Sequence, residues 1–179
     1  MRDKMPALSS NARKISIIPF LGDTAIRLKS VISFQDIQLS GLLIVKQKGD
    51  TVIGAFINEF GIKGFDFVVY SGNCKLMSLM NALDKWYIRG VLCDDLAFIF
   101  TTSNRTVNVD SIQNESFNSG KLIYKYWFNS NNNLYKVERF VNDNRTGELT
   151  ISADNKIVMN NTKRALVYQM SIIENNNIK

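Results

Sequence analysis

Residues 37–57 read IQLSGLLIVKQKGDTVIGAFI. Two runs rich in β-branched and large apolar residues, Ile37 to Val45 and Thr51 to Ile57, flank the turn residues Lys48-Gly49-Asp50. Length and turn chemistry together predict a β-hairpin. Successive side chains of a strand point to opposite faces, and apolar residues here occupy both. Such a hairpin calls for cover on both sides, a helix on one and something else on the other.

The same period extends outward. In Ala25 to Phe34 (AIRLKSVISF), Ile26, Leu28, Ile32 and Phe34 share one face, while Arg27, Lys29 and Ser33 lie on the other. Downstream, Gly64 to Tyr70 puts Phe65, Phe67 and Val69 on one face, and Lys75 to Met80 follows the turn Ser71-Gly72-Asn73. A single convincing helix is predicted over Lys85 to Phe100. Ile88, Leu92, Leu96 and Ile99 form its apolar stripe, Asp84 is placed as its N-cap, and Gly90 weakens its middle by about 1 kcal/mol relative to alanine. Thr101 to Gly120 is polar and reads as a long loop. Strands then resume at Lys121 to Phe128, Leu134 to Val141, Glu148 to Ala153, Lys156 to Asn160 and Arg164 to Ile173.

The expected fold is therefore mainly β (α+β): an unclosed antiparallel β-barrel or strongly curved sheet of about ten strands, covered by one main helix. Residues 1–22 read as a lead-in segment, 23–174 as one β-barrel-like domain and 175–179 as a flexible tail. A chain of 179 residues can bury a core without staples.

Composition narrows the chemistry. The chain has no histidine, which removes histidine-dependent catalytic pairs, histidine-ligated zinc and histidine pH switches from within it. The net charge of +6 comes from scattered Lys and Arg and reads as solubility. No run of 18 apolar residues occurs, and Met1 to Ser10 lacks the apolar core of a signal peptide. The expected location is cytoplasmic unless an export signal has been trimmed. Cys74 and Cys93 are too few for a zinc cluster; two buried thiols are favoured over a disulfide, which would require export.

Carboxylates would have to carry any acid-base work, and Glu59, Asp66, Asp94 and Asp95 stand nearest apolar surroundings. None forms a convincing pair, and solvated or locally bonded carboxylates are the expectation. Gly61-Ile62-Lys63-Gly64 lacks the P-loop spacing and reads as a turn. Tyr124 and Tyr126 alternate with Lys125, a pattern that could stack single-stranded nucleic acid, yet core or cavity lining is the stronger reading and nucleic acid is not an expected partner.

The stretch Phe34 to Tyr70 resembles the periplasmic lipoprotein carrier and outer-membrane lipoprotein receptor family, LolA and LolB. The likeness lies in Ser40-Gly41 opening a strand, the turn at Gly49-Asp50, Asn58-Glu59-Phe60-Gly61 and Phe65-Asp66-Phe67. Element order extends it over Ala25 to Ile173. The resemblance implies an unclosed barrel with helices as a lid over an apolar cavity, a non-enzymatic role in binding lipid or lipoprotein acyl chains, and residence in the periplasm or on the outer membrane. The chain departs from the receptor in having no cysteine before Cys74, and no counterpart of the receptor's protruding apolar loop is matched.

The resulting expectation is a monomeric acyl-chain binder without cofactor or metal, its cavity lined by Ile26, Leu28, Ile32, Leu43, Val45, Ile53, Phe65, Phe67, Tyr124 and Tyr126. Envelope proteins and peripheral membrane contact are further expected partners. The competing expectation is a structural or protein-interaction module with a filled core.

Overall fold

Two-residue turns organise most of the chain. Both central residues of Ser71-Gly72 and of Asn142-Asp143 are left-handed, with φ between 47° and 78°, the geometry that matches the twist of tight hairpins. A computed structural model describes the backbone at residues 12–16, 25–81, 83–108, 113–117, 120–131 and 133–173, and side-chain surroundings at 25–81, 83–101, 122–131 and 133–173.

A first meander comprises β2 (Ile26–Phe34), β3 (Ile37–Lys48), β4 (Thr51–Asn58), β5 (Lys63–Tyr70) and β6 (Asn73–Leu79). The helix α1 (Trp86–Phe100) and β7 (Thr102–Asn108) follow. A second meander comprises β8 (Gln113–Phe117), β9 (Gly120–Phe128), β10 (Leu134–Val141), β11 (Asn144–Ile151), β12 (Lys156–Asn161) and β13 (Leu166–Ile172). Antiparallel pairing of β13 with β2 joins the two meanders into one eleven-stranded sheet in the order β6-β5-β4-β3-β2-β13-β12-β11-β10-β9-β8. The sheet is unclosed, with β6 and β8 at its ends. A separate ribbon pairs β1 (Ala12–Ser16), within the expected lead-in, with β7.

Two expectations change here. Residues 101–120 carry β7 and β8 where a long loop was predicted, because a ladder is built from backbone groups and polar side chains do not forbid it. Asp84 does not cap α1. The N-cap is Lys85, without a side-chain bond, and the Asp84 carboxylate is taken by Arg89 at 2.5 and 2.9 Å. That pair is exposed, and Arg89 holds the Asp84 carboxyl below its ordinary range.

The inner face of the sheet and α1 form the core. Leu28, Leu43, Val45, Phe56, Phe65 and Phe67 come from the first meander; Val137, Leu149, Ile157, Met159, Tyr168 and Met170 come from the second, with β13 among its strands. The last turns of α1 fill the hollow between them. Asp95 to Phe100 are all buried, Phe100 packs on Phe67 at 5.4 Å between ring centroids, and Phe98 stacks on Tyr124 at 5.7 Å. Glycine at position 54 lets Phe67 cross β4, since a Cβ there would stand 2.3 Å from the ring. No helix among the described residues is long and apolar enough to cross a membrane.

The first half of α1 is less enclosed. Gly90 is exposed, and a Cβ built there meets nothing within 4 Å. Gly90→Ala is expected to stabilise the protein by about 1 kcal/mol, read as a rise of about 2–4 °C in melting temperature.

Candidate functional site

The helix and the sheet part company towards the start of α1. There the side chains of Ile32, Phe34 and Leu39 from the β2–β3 hairpin, Phe65 from β5, and Leu166 from β13 face Ile88, Val91 and Leu92 across an apolar cleft of about 80 Å³. Ile37, Leu83, Tyr87 and Arg164 complete its walls. The helix supplies its share through 3.6-residue spacing, and the strands supply theirs through alternation. Arg164 is the one charged residue among these.

A second, more polar cavity of about 410 Å³ adjoins it. Val91 and Arg164 line both spaces, and the second is further bounded by Asp94, Ala97, Tyr124, Arg139, Thr146, Asn161 and Lys163 among others. Lys163 and Arg164 sit in the β12–β13 turn. That turn is pinned by Asn161, whose Oδ1 accepts the backbone N–H groups of Lys163 and Arg164 at 3.1 and 3.0 Å.

Asn161 belongs to a buried cluster that ties α1 to the second meander. Its Nδ2 donates to both oxygens of Asp95, at 2.9 and 3.0 Å. Arg139 from β10 donates through Nη2 to Asp95 Oδ1 at 3.0 Å, through Nη1 to the Asp94 carbonyl at 3.0 Å and through Nε to Thr146 Oγ1 at 3.1 Å, with its guanidinium 4.9 Å from the Phe98 ring centre. Asp95 has no exposed surface and Arg139 only 7%. Burial raises the Asp95 pKa, and Arg139 and Asn161 pull against it. The Tyr168 hydroxyl is fully buried near Asp95, and burial followed by the Asp95 charge pushes its pKa well up. Burial raises Asp94 as well, opposed by Arg139 and Lys163.

The residues expected to line a cavity separate into distinct environments. Ile32 and Phe65 line the cleft. Leu28, Leu43, Val45 and Phe67 are at most 2% exposed within the core, with Ile26 packed against it. Tyr124 borders the second cavity, and Tyr126 is half-buried 6.5 Å from it. Ile53 faces the other way: it pairs with Lys46 and Val68 on the outer face and is 52% exposed. A turn that opposes Lys48 with Thr51 sets Val45 against Gly54, so Ile53 takes the face of Lys46.

Two other readings are resolved by the same parity. Lys125 lies over the Phe140 ring at 4.5 Å on the outer face, while Tyr124 points inward to Phe98, so base stacking beside that cation has no shared surface. The connection lies at residues 59–62, with Asn58 Oδ1 accepting the N–H groups of Phe60 and Ile62 at 3.0 and 2.8 Å, while Lys63 and Gly64 of the expected turn open β5 instead. Asp66 is outward too, bonded to Lys63 at 2.8 Å and to Ser78. The expectation of solvated carboxylates fails at Asp95, whose partners lie 44 and 66 residues away. A sequence signal existed in the apolar run LAFIF after it and the lone arginine in LYKVERFV. Cys74 and Cys93 are not the two buried thiols expected but are bridged, because the packing of α1 on β6 brings their Cα atoms to 5.2 Å; the bond fastens β6 to the middle of α1.

No protein-family model matches the chain, and no curated protein sequence matches it significantly. Among solved structures it is similar to a domain described as an outer-membrane lipoprotein-sorting protein from Vibrio parahaemolyticus, with 11% identity over 91% of this chain and 89% of the other at a TM-score of 0.42. It is also similar to a DUF1329 family protein from Desulfovibrio piger, with 8% identity over 90% and 89% of the two chains at a TM-score of 0.43.

Proposed function

We propose that this protein is a non-enzymatic binding protein of the bacterial cell envelope that shelters an acyl chain between α1 and the sheet. The observation that carries the reading is the apolar cleft at the start of α1, with Arg164 as its single charge. Its volume of about 80 Å³ is below the ~150 Å³ of a cavity that takes up benzene, so in the closed form it receives the end of an alkyl chain. Each methylene buried contributes roughly 0.8 kcal/mol, so the depth to which a chain enters sets the strength of binding.

The Cys74–Cys93 bridge supports an oxidising compartment and with it the envelope. Peripheral membrane contact is supported by exposed apolar side chains on neighbouring connections. These are Ile37 after the β2–β3 turn, Phe60 and Ile62 between β4 and β5, and Trp86 at the start of α1; Phe60 and Trp86 are each 86% exposed.

Binding is tested with a polarity-sensitive fluorescent fatty acid and delipidated, folded protein. Saturable binding is expected, weakened by at least about tenfold in Ile88→Asp, which puts a charge on the cleft wall at a half-buried position. The absence of binding to the unmodified protein would overturn the proposal. It would favour instead a protein-interaction module with a filled core, a reading supported by the continuous burial of Asp95 to Phe100.

A further inference from the structure

We infer that the bound molecule is a lipid with a phosphate-bearing headgroup, its tail end in the apolar cleft and its head in the adjoining cavity against Lys163 and Arg164. This inference rests on the acyl-binding reading and adds the chemistry of the head. Three observations carry it.

Val91 and Arg164 line both spaces, so the apolar cleft and the second cavity are neighbours that share these two residues as walls. Their sizes are unequal, about 80 Å³ for the apolar space against about 410 Å³ for the polar one, which suits an occupant with a substantial polar head more than a plain fatty acid.

Charge points the same way. Arg139, Lys163 and Arg164 line the polar cavity, and Asp94 is the carboxylate on its wall. Arg139 is consumed by Asp95, the Asp94 carbonyl and Thr146. Lys163 and Arg164 have no ion-pair partner within 4.0 Å among the described residues, although both are held in place through their backbone by Asn161. Their side chains are exposed and thus need no internal partner, and the turn pinned by Asn161 places both residues at the cavity wall. A guanidinium fork beside an ammonium matches the oxygens of a phosphate, to which both types of group bind through charge-assisted hydrogen bonds.

The test compares myristoyl lysophosphatidylglycerol, monomyristoylglycerol and inorganic phosphate as ligands of the intact protein. The two lipids share one tail and differ in the phosphate head. The lysophospholipid is expected to bind at least about tenfold more tightly than the neutral lipid, and Lys163→Ala with Arg164→Ala is expected to close that gap, Lys163 being the one of the two that lines the polar cavity alone. These are exposed turn side chains, so the variant keeps its fold; Lys163→Glu, a single reversal, should narrow the gap in the same direction. Equal affinity for the two lipids, or a gap that survives in both variants, would overturn the headgroup assignment and leave the acyl-binding reading standing. Failure of both lipids to bind would overturn both. Inorganic phosphate competing as effectively as the lysophospholipid would overturn the assignment of a tailed ligand.

Discussion

Asp95→Ala is expected to destabilise the folded protein by about 3–5 kcal/mol, measured by denaturant unfolding, because it strands the Arg139 guanidinium in an interior where it is 7% exposed. The loss does not measure the worth of the ion pair. Desolvating both charges offsets much of their attraction, and burial is the largest influence on the Asp95 carboxyl, pushing its pKa up. A Asp95→Leu, Arg139→Met double variant is therefore expected to be less destabilised than either single variant. Double-variant stability equal to the sum of the singles would refute the coupling.

The sign of the pH dependence follows from the same group. A carboxyl whose pKa is higher folded than unfolded binds more protons in the folded state between those two values. Its contribution to stability consequently falls as pH rises from the ordinary value of 3.8 through the raised folded value, and is constant above it. Asp95→Asn removes this decline, visible as a flatter stability profile over that window than the unmodified chain shows.

The second large effect concerns the bridge. Cys74 and Cys93 are separated by 19 positions, and closing a loop of that length restricts the unfolded chain by about 3 kcal/mol. Cys74→Ser with Cys93→Ser is expected to lose about that much stability in non-reducing unfolding experiments. The unmodified protein should fall to the same midpoint when reductant is added. Because the bridge holds α1 to β6 next to the cleft walls Val91 and Leu92, the double variant is expected to bind the fluorescent fatty acid with altered affinity even at temperatures where it remains folded. A midpoint indifferent to both treatments would show that the bridge contributes nothing.

The hairpin at residues 37–57 was readable from its two apolar runs and from Gly49, and α1 from the spacing of Leu92, Leu96 and Ile99, which are all buried. Ile53 shows where that reading stops. When both faces of a strand are apolar, alternation alone cannot say which faces inward; only the pairing of Lys48 with Thr51 sets the parity. At β7 and β8 the failure was of another kind, since polar edge strands carry no apolar alternation to detect. Arg164 reads as the first residue of a strand, whereas β13 begins at Leu166, and Lys163 goes unremarked, because nothing local distinguishes a surface cation from one placed beside a cavity.

Alternation, turn chemistry and the missing histidines were thus available along the chain, because each is a property of neighbouring residues. Hidden from any such reading were the meeting of Asp95 with Arg139 and Asn161, the bridging of the two cysteines, and the amount of empty space left under α1. Those depend on how twist accumulates over eleven strands and on how closely one helix follows the resulting curve. A small change in either decides between a solid interior and a cleft, so the space for a guest is a property of the assembled sheet and helix rather than of any segment.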